Sequence, residues 1–194
     1  MNDVSPAAAN RDPAIRVIAE RRSVYAFSQA PVDESDIRLA LDMAVRAPNH
    51  RLTRPWRFAV FLGAARHRLA DAFAAAAAAR QLDPERTRSK QLIAPAVVCA
   101  GVSPRLDRPK VVEEEEAHAV AAAIQNMMLA LHARGLGSLW TTGALCDAPE
   151  VKEVLGWKGV RERVLGVIHV GRAAPTDRLP SRQLGHTEFT AWYR

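Results

Sequence analysis

The chain has 194 residues, 48% of them apolar, and 27 Lys and Arg against 21 Asp and Glu give a formal net charge of +6. That length and apolar share suffice for one substantial core, and nowhere do about 18 apolar residues run together as a membrane span requires. The basic balance points to nucleic acid or anionic ligands, but the arginines are scattered singly and in pairs, and no helix-turn-helix, aromatic RNA platform or zinc module is visible.

Residues 1–11 are polar and alanine-rich and read as a loose tail. Met1–Pro6 offers no basic segment leading into an apolar one, so no export signal is seen and a cytoplasmic protein is expected. Asp12 caps a predicted helix with Pro13 at its first position, running to about Arg21. Asp33 caps a second helix whose apolar face includes Ile37, Leu41 and Ala44, and Pro48 stops it. Trp56 to Leu62 is aromatic and branched and ends at Gly63, which predicts a strand. Ala64 to Arg80 is alanine-dominated and predicts a helix, with Leu69 and Phe73 as its packing face.

Pro84 to Leu92 predicts a further helix, and Pro95 to Gly101 a central strand in which Cys99 is a buried hydrophobe. Glu113 to Arg134 is the longest predicted helix, opened by four glutamates at its positive end and closed by Arg134 and Gly135. Its middle is apolar nearly all round, which implies burial on more than one side. Leu136 to Trp140 is short and extended, Pro149 to Leu155 a short helix, and Val164 to Val170 a strand ending at Gly171. Residues 172–194 lack periodicity but carry Phe189, Trp192 and Tyr193, so this tail is expected to dock, with a partner subunit the natural seat. No repeat or linker divides the chain, and a single domain over 1–194 is expected.

The chemistry-bearing segments are Arg21-Arg22-Ser23, the helix-ending Arg46-Ala47-Pro48-Asn49-His50, then Pro55-Trp56-Arg57-Phe58, and Gly135-Leu136-Gly137-Ser138-Leu139-Trp140-Thr141-Thr142-Gly143. In this order and spacing, across residues 12 to 171, they resemble the nitroreductase family, most closely its small single-domain members. The resemblance implies an α+β, three-layer fold with a central, mostly antiparallel sheet flanked by helices. It also implies a homodimer with FMN at the subunit interface, reduced by NADH or NADPH and reoxidised by an electron-poor acceptor such as a nitroaromatic or quinone, in ping-pong fashion.

Carried over residue by residue, Arg21, Arg22 and Ser23 match the segment that holds the FMN phosphate and ribityl chain. Guanidinium forks suit a phosphate dianion, although an arginine pair here could instead cap helix carbonyls. Arg46 and His50 match positions that reach FMN bound mainly by the other subunit. Trp140, Thr141 and Thr142 match the segment lining the flavin ring and chain. Two departures stand out: Tyr25 occupies a place where many members have arginine, and Thr141 one where close relatives often carry a basic residue. Glu116 to Ala121 matches a region associated with nicotinamide-nucleotide binding, and Arg182 resembles a tail arginine that grips the phosphate in some members.

Other constellations are missing. Gly135-Leu136-Gly137 follows a helix and lacks a third glycine at dinucleotide spacing. Cys99, Cys146 and the histidines show no metal-ligand spacing, and no nucleophile–base motif appears. In such a protein the cofactor carries the chemistry, so no catalytic side chain is expected. Two readings stay open beside nitroreduction: a same-fold flavin enzyme with another outcome, such as dehalogenation or flavin breakdown, and a non-catalytic FMN carrier or sensor.

Overall fold

The protein is described from a computed structural model covering residues 12–175 and 185–194. The expected helix starts are explained by their caps. At the head of α1 (Pro13–Glu20), Asp12 Oδ1 accepts the Ala14 N–H at 2.8 Å. At the head of α2 (Glu34–Ala44), Asp33 accepts the Ser35 N–H at 2.8 Å, and that bond holds the Asp33 carboxyl below its ordinary range.

After α2 come β1 (Trp56–Leu62), α3 (Ala65–Ala78), α4 (Pro84–Gln91), β2 (Ala96–Val102), α5 (Glu113–Ala133), β3 (Gly137–Thr141), α6 (Pro149–Leu155) and β4 (Arg163–Gly171). The α3 helix stops two residues short of the expected Arg80. There Gln81 takes a φ of 57° and Leu82 N–H donates back to the Ala77 carbonyl, the left-handed closure that satisfies final carbonyls.

The strands lie in the order β1-β2-β4-β3, all neighbours antiparallel, and Ser23 adds a parallel bridge to Ser138. The period-2 alternation of strands sorts their side chains between two layers. Val98, Ala100, Ile168 and Val170 join the core with α2 and α5, while Val97, Cys99 and Val167 pack with α3 and α6. With both faces covered by helices, β2 is buried at every position. This is the expected three-layer α+β arrangement.

The apolar girth of α5 is used unevenly. Val120, Ile124, Met127 and Leu131 are buried, whereas Leu129, Ala130 and Ala133 line an open groove against α1 and α2. Among the described residues, no helix is long and apolar enough to cross a membrane.

Candidate functional site

Alternation on β3 decides what faces where. Leu139 and Thr141 point to the α3 side, and with Thr142 and Gly143 they line a cavity of about 580 Å³ whose opposite wall includes Thr87 and Lys90 of α4. Its floor is His169, 1% exposed, paired across the ladder with Leu139. The Thr141 hydroxyl donates to the Val167 carbonyl at 3.2 Å and lies 3.4 Å from His169 Nε2. Burial drives the His169 pKa from 6.5 down to about 4, so the ring is neutral at physiological pH.

Two residues that line this cavity, His169 and Gln91, each hold a buried polar atom, Nδ1 and Oε1, with no hydrogen-bond partner. Such atoms are rare unless a ligand or water serves them. At the rim, Gly143 has a φ of 138°, with open space where a side chain would stand.

A second hollow, about 240 Å³, gathers Arg21 and Arg22 with Gly137 and Ser138. Local folding explains it. After α1 ends, Val24 N–H donates to the Ser138 carbonyl at 3.1 Å, laying this segment along β3. Gly137 permits the approach, because a Cβ there would sit 2.5 Å from a Val24 methyl. Arg22 Nη1 donates to the Ala19 and Arg21 carbonyls at 2.6 and 3.0 Å. That nitrogen thus makes the helix-capping contact that the sequence left as the alternative to a ligand role. The two hollows share one strand, with Thr141 in the first and Ser138 in the second, three residue steps or roughly 10 Å apart.

Arg46 and His50 lie elsewhere. Exposed Arg46 borders a shallow hollow with Arg54 and Trp56. His50 lines a cleft of about 350 Å³ with Pro48, Asn49, Glu115 and His118. The structure therefore joins Thr141 and Thr142 in one place and Arg21 and Arg22 in another, with Ser23 bridged to Ser138 beside them, and it does not bring Arg46 or His50 to either within one protomer. The Trp140 side chain points to the α5 side, packing on that core. Its buried Nε1 has no partner, and the indole is not among the side chains that line the Thr141 cavity.

Glu116 faces inward. It is 1% exposed, and its carboxylate accepts the Thr53 hydroxyl at 2.6 Å and the Arg105 N–H at 3.1 Å. The helix start matched to nicotinamide binding thus offers Glu115 and His118 to the cleft while Glu116 ties loops together. Arg182 falls outside the described residues. In the tail, Phe189, Trp192 and Tyr193 are all exposed.

Sequence reasoning missed Thr87, Lys90, Gln91 and His169. The α4 sequence has no apolar face to betray a packed helix, and only its position just ahead of β2 could have drawn attention to Lys90 and Gln91. His169 did leave a signal, being a lone imidazole inside a wholly apolar strand. Cys99 is buried as read, and Cys146 is buried too: burial pushes the Cys146 thiol up to about 11 and Cys99 higher still, leaving both uncharged. No group of His, Cys, Asp and Glu among the described residues could hold a metal ion.

A three-layer α+β domain with an open cavity at a strand end and an arginine hollow beside it defines a class of small-ligand-binding folds. Within that class the chain belongs to the Nitroreductase family, whose profile matches residues 18–172. It is 26% identical over 161 residues to YdjA of Escherichia coli strain K12, provisionally named an NAD(P)H nitroreductase, covering 81% of this chain and 87% of that one. The nitroreductase-like family protein from Bacillus cereus superposes with a TM-score of 0.80 at 27% identity, over 94% of this chain and 96% of the other. The FMN-dependent nitroreductase NfnB from Mycobacterium smegmatis, solved in complex with NADPH, gives a TM-score of 0.75 at 25% identity, over 97% and 99%.

Proposed function

We propose that this protein is an FMN-dependent oxidoreductase that takes electrons from NADH or NADPH and hands them to an electron-poor acceptor such as a nitroaromatic or quinone. The observation that carries the reading is the cavity at the end of β3 with its unserved buried His169 Nδ1 and Gln91 Oε1, with the arginine hollow bordering the other end of the same strand. The named activities of its relatives, FMN and NADPH included, support it.

The residues suit the group. Thr87, Thr141, Thr142 and Gln91 offer donors and acceptors to a heterocycle's polar edge, and Lys90 offers a cation in the cavity where Thr141 itself brings none. Arg21, Arg22 and Ser23 suit the phosphate and ribityl end, where guanidinium donors neutralise a dianion. Bound there, FMN would supply a reversible two-electron relay between a nicotinamide and the acceptor. The chain's part is to bind, to orient and to stabilise negative charge.

A second copy of the chain completes this reading. Ile18, Leu39 and Met43 are exposed, and together with Leu129 they line an apolar groove of about 480 Å³. A patch of this kind suits a self-complementary interface. In the dimer Arg46 and His50 would reach the partner's FMN, and the aromatic tail would dock across the interface.

The test is the visible spectrum of the pure protein, taken before and after anaerobic addition of each nicotinamide nucleotide, with sedimentation of the same sample. A yellow dimer bleached by one of the two is the expected result. A yellow protein bleached by neither would favour a carrier or sensor, and a colourless monomer that ignores added FMN would end the proposal.

A further inference from the structure

The segment between Pro48 and Pro55 is held in a costly shape. Arg51, Leu52 and Arg54 have φ of 57°, 50° and 53°, and none of them is glycine. Left-handed backbone at non-glycine residues persists only where surrounding structure imposes it, and such outliers gather at functional sites. Here the imposing contacts can be named. Asn49 Oδ1 accepts the Arg54 N–H at 3.0 Å, and Thr53 N–H donates to the His50 carbonyl at 3.3 Å. Arg108 Nη1 donates to the Arg51 carbonyl at 3.3 Å, and Ser103 N–H to the Pro55 carbonyl at 2.7 Å.

The centre of this arrangement is Glu116. One carboxylate oxygen takes the hydroxyl of Thr53, itself 4% exposed, and the other takes the backbone N–H of Arg105. A buried carboxylate with both oxygens engaged joins two loops to α5 more firmly than neutral pairs would. Immediately outside it lies the cleft shaped by Pro48, Asn49 and His50. A helix opening with four glutamates needs no inward-facing one for its dipole, so the macrodipole does not account for this contact.

We infer that Glu116 is a positioning residue: through Thr53 and Arg105 it holds the Pro48–Arg54 lip in the strained shape whose Pro48–His50 edge forms one wall of the nicotinamide and acceptor slot. This rests on the flavin reading above, in which that lip faces the partner's FMN. The lip makes the contact and Glu116 sets its geometry, so loss of the clasp should affect substrate binding and turnover ahead of flavin retention, which falls to the β3 cavity and the arginine hollow.

The experiment compares Glu116→Ala, Thr53→Val and Glu116→Gln in the flavin-loaded, full-length protein. It measures flavin per chain, KM and kcat for the nicotinamide nucleotide, and the rate of tryptic cleavage after Arg51. Thr53→Val is nearly isosteric and keeps the decision open should Glu116→Ala fail to fold. Both are expected to keep wild-type flavin content, to raise KM about tenfold, the equivalent of about 1.4 kcal/mol of binding, with a smaller change in kcat, and to be cut faster at Arg51. Glu116→Gln should restore both readouts. Its amide oxygen can serve the Arg105 N–H while its NH2 donates to Thr53 Oγ1, whose own proton turns to the His50 carbonyl, 3.2 Å away. Wild-type KM and wild-type trypsin resistance in Thr53→Val would overturn the inference. Failure of the flavin reading looks different: the wild type itself would be colourless, while the trypsin comparison would still support or refute the clasp.

Discussion

The cavity beside β3 and the lip at Pro48–Arg54 are built by opposite means. The cavity's floor is a regular antiparallel ladder, β3 on β4, whose side chains are sorted by simple alternation. The lip has three non-glycine residues at positive φ and is shaped by side-chain bonds from Asn49, Glu116 and Arg108. A floor of this kind is made stable by packing and does not tolerate added volume. A lip of this kind stores strain, so its substitutions should alter activity more than stability. The contrast gives a ranking of expected effects.

The largest belongs to the sheet that carries this floor, on its opposite face. Gly166 of β4 lies under the ring of Trp140: a Cβ there would land on the indole nitrogen and 2.7 Å from the Thr141 carbonyl oxygen. The backbone oxygen belongs to the ladder and cannot swing aside. Gly166→Ala should therefore cost about 3 kcal/mol or more and lower the melting temperature by roughly 6–12 °C, as read by calorimetry. It should also loosen the flavin, because Thr141 would be displaced. An unchanged melting temperature would mean that β3 and β4 adjust freely, and the contrast with the lip would vanish.

Next comes the buried imidazole of the cavity floor itself. The folded pKa of His169 is about 4 against an ordinary 6.5, owing to desolvation. Above pH 6.5 the ring is neutral in folded and unfolded chains alike and contributes no pH dependence. As pH falls from 6.5 toward 4, the unfolded chain takes up a proton that the folded one refuses, so stability declines, by up to about 3 kcal/mol for this group. Denaturant titrations at several pH values should show that slope in the wild type and a flatter one in His169→Leu. Equal slopes would place water or a ligand donor around His169 that keeps its pKa near normal.

The same contrast explains what could be read without coordinates. Helices α1 and α2 were legible because Asp12 and Asp33 carry capping chemistry in the residue type itself. The strands were legible because β-branched and aromatic runs end at Gly63 and Gly171. The segment Ser138 to Thr142 was legible as a unit, but not the split within it, since assigning Trp140 to the core and Thr141 to the cavity requires knowing which face of the sheet each layer covers. Lys90 and Gln91 were invisible because their place beside β3 is a long-range fact, set by how α4 returns to β2. The inward turn of Glu116 was invisible for a related reason. Among four consecutive glutamates no sequence rule selects the one that turns inward, and the Thr53 hydroxyl that selects it lies 63 positions away.

The smallest predicted effect on stability is the most diagnostic for the lip. Leu52 is 69% exposed with a φ of 50°, so its side chain gives little packing to lose. Leu52→Gly removes a left-handed penalty of about 1–2 kcal/mol and adds unfolded-chain entropy worth roughly 0.5–1 kcal/mol. The net should be a small gain, up to about 1 kcal/mol, visible as a higher denaturant midpoint with an unchanged slope. If strain is what the Glu116 clasp maintains, this stabilised variant should nonetheless bind its nicotinamide donor more weakly, because glycine permits shapes the clasp excludes. A clear loss of stability would instead show that the Leu52 side chain packs in the assembled protein, with the positive φ as a by-product of that contact. Stability and donor affinity moving in opposite directions, so that KM rises as the protein becomes more stable, is the pattern that a strained, positioned lip requires and that a merely structural loop would not produce.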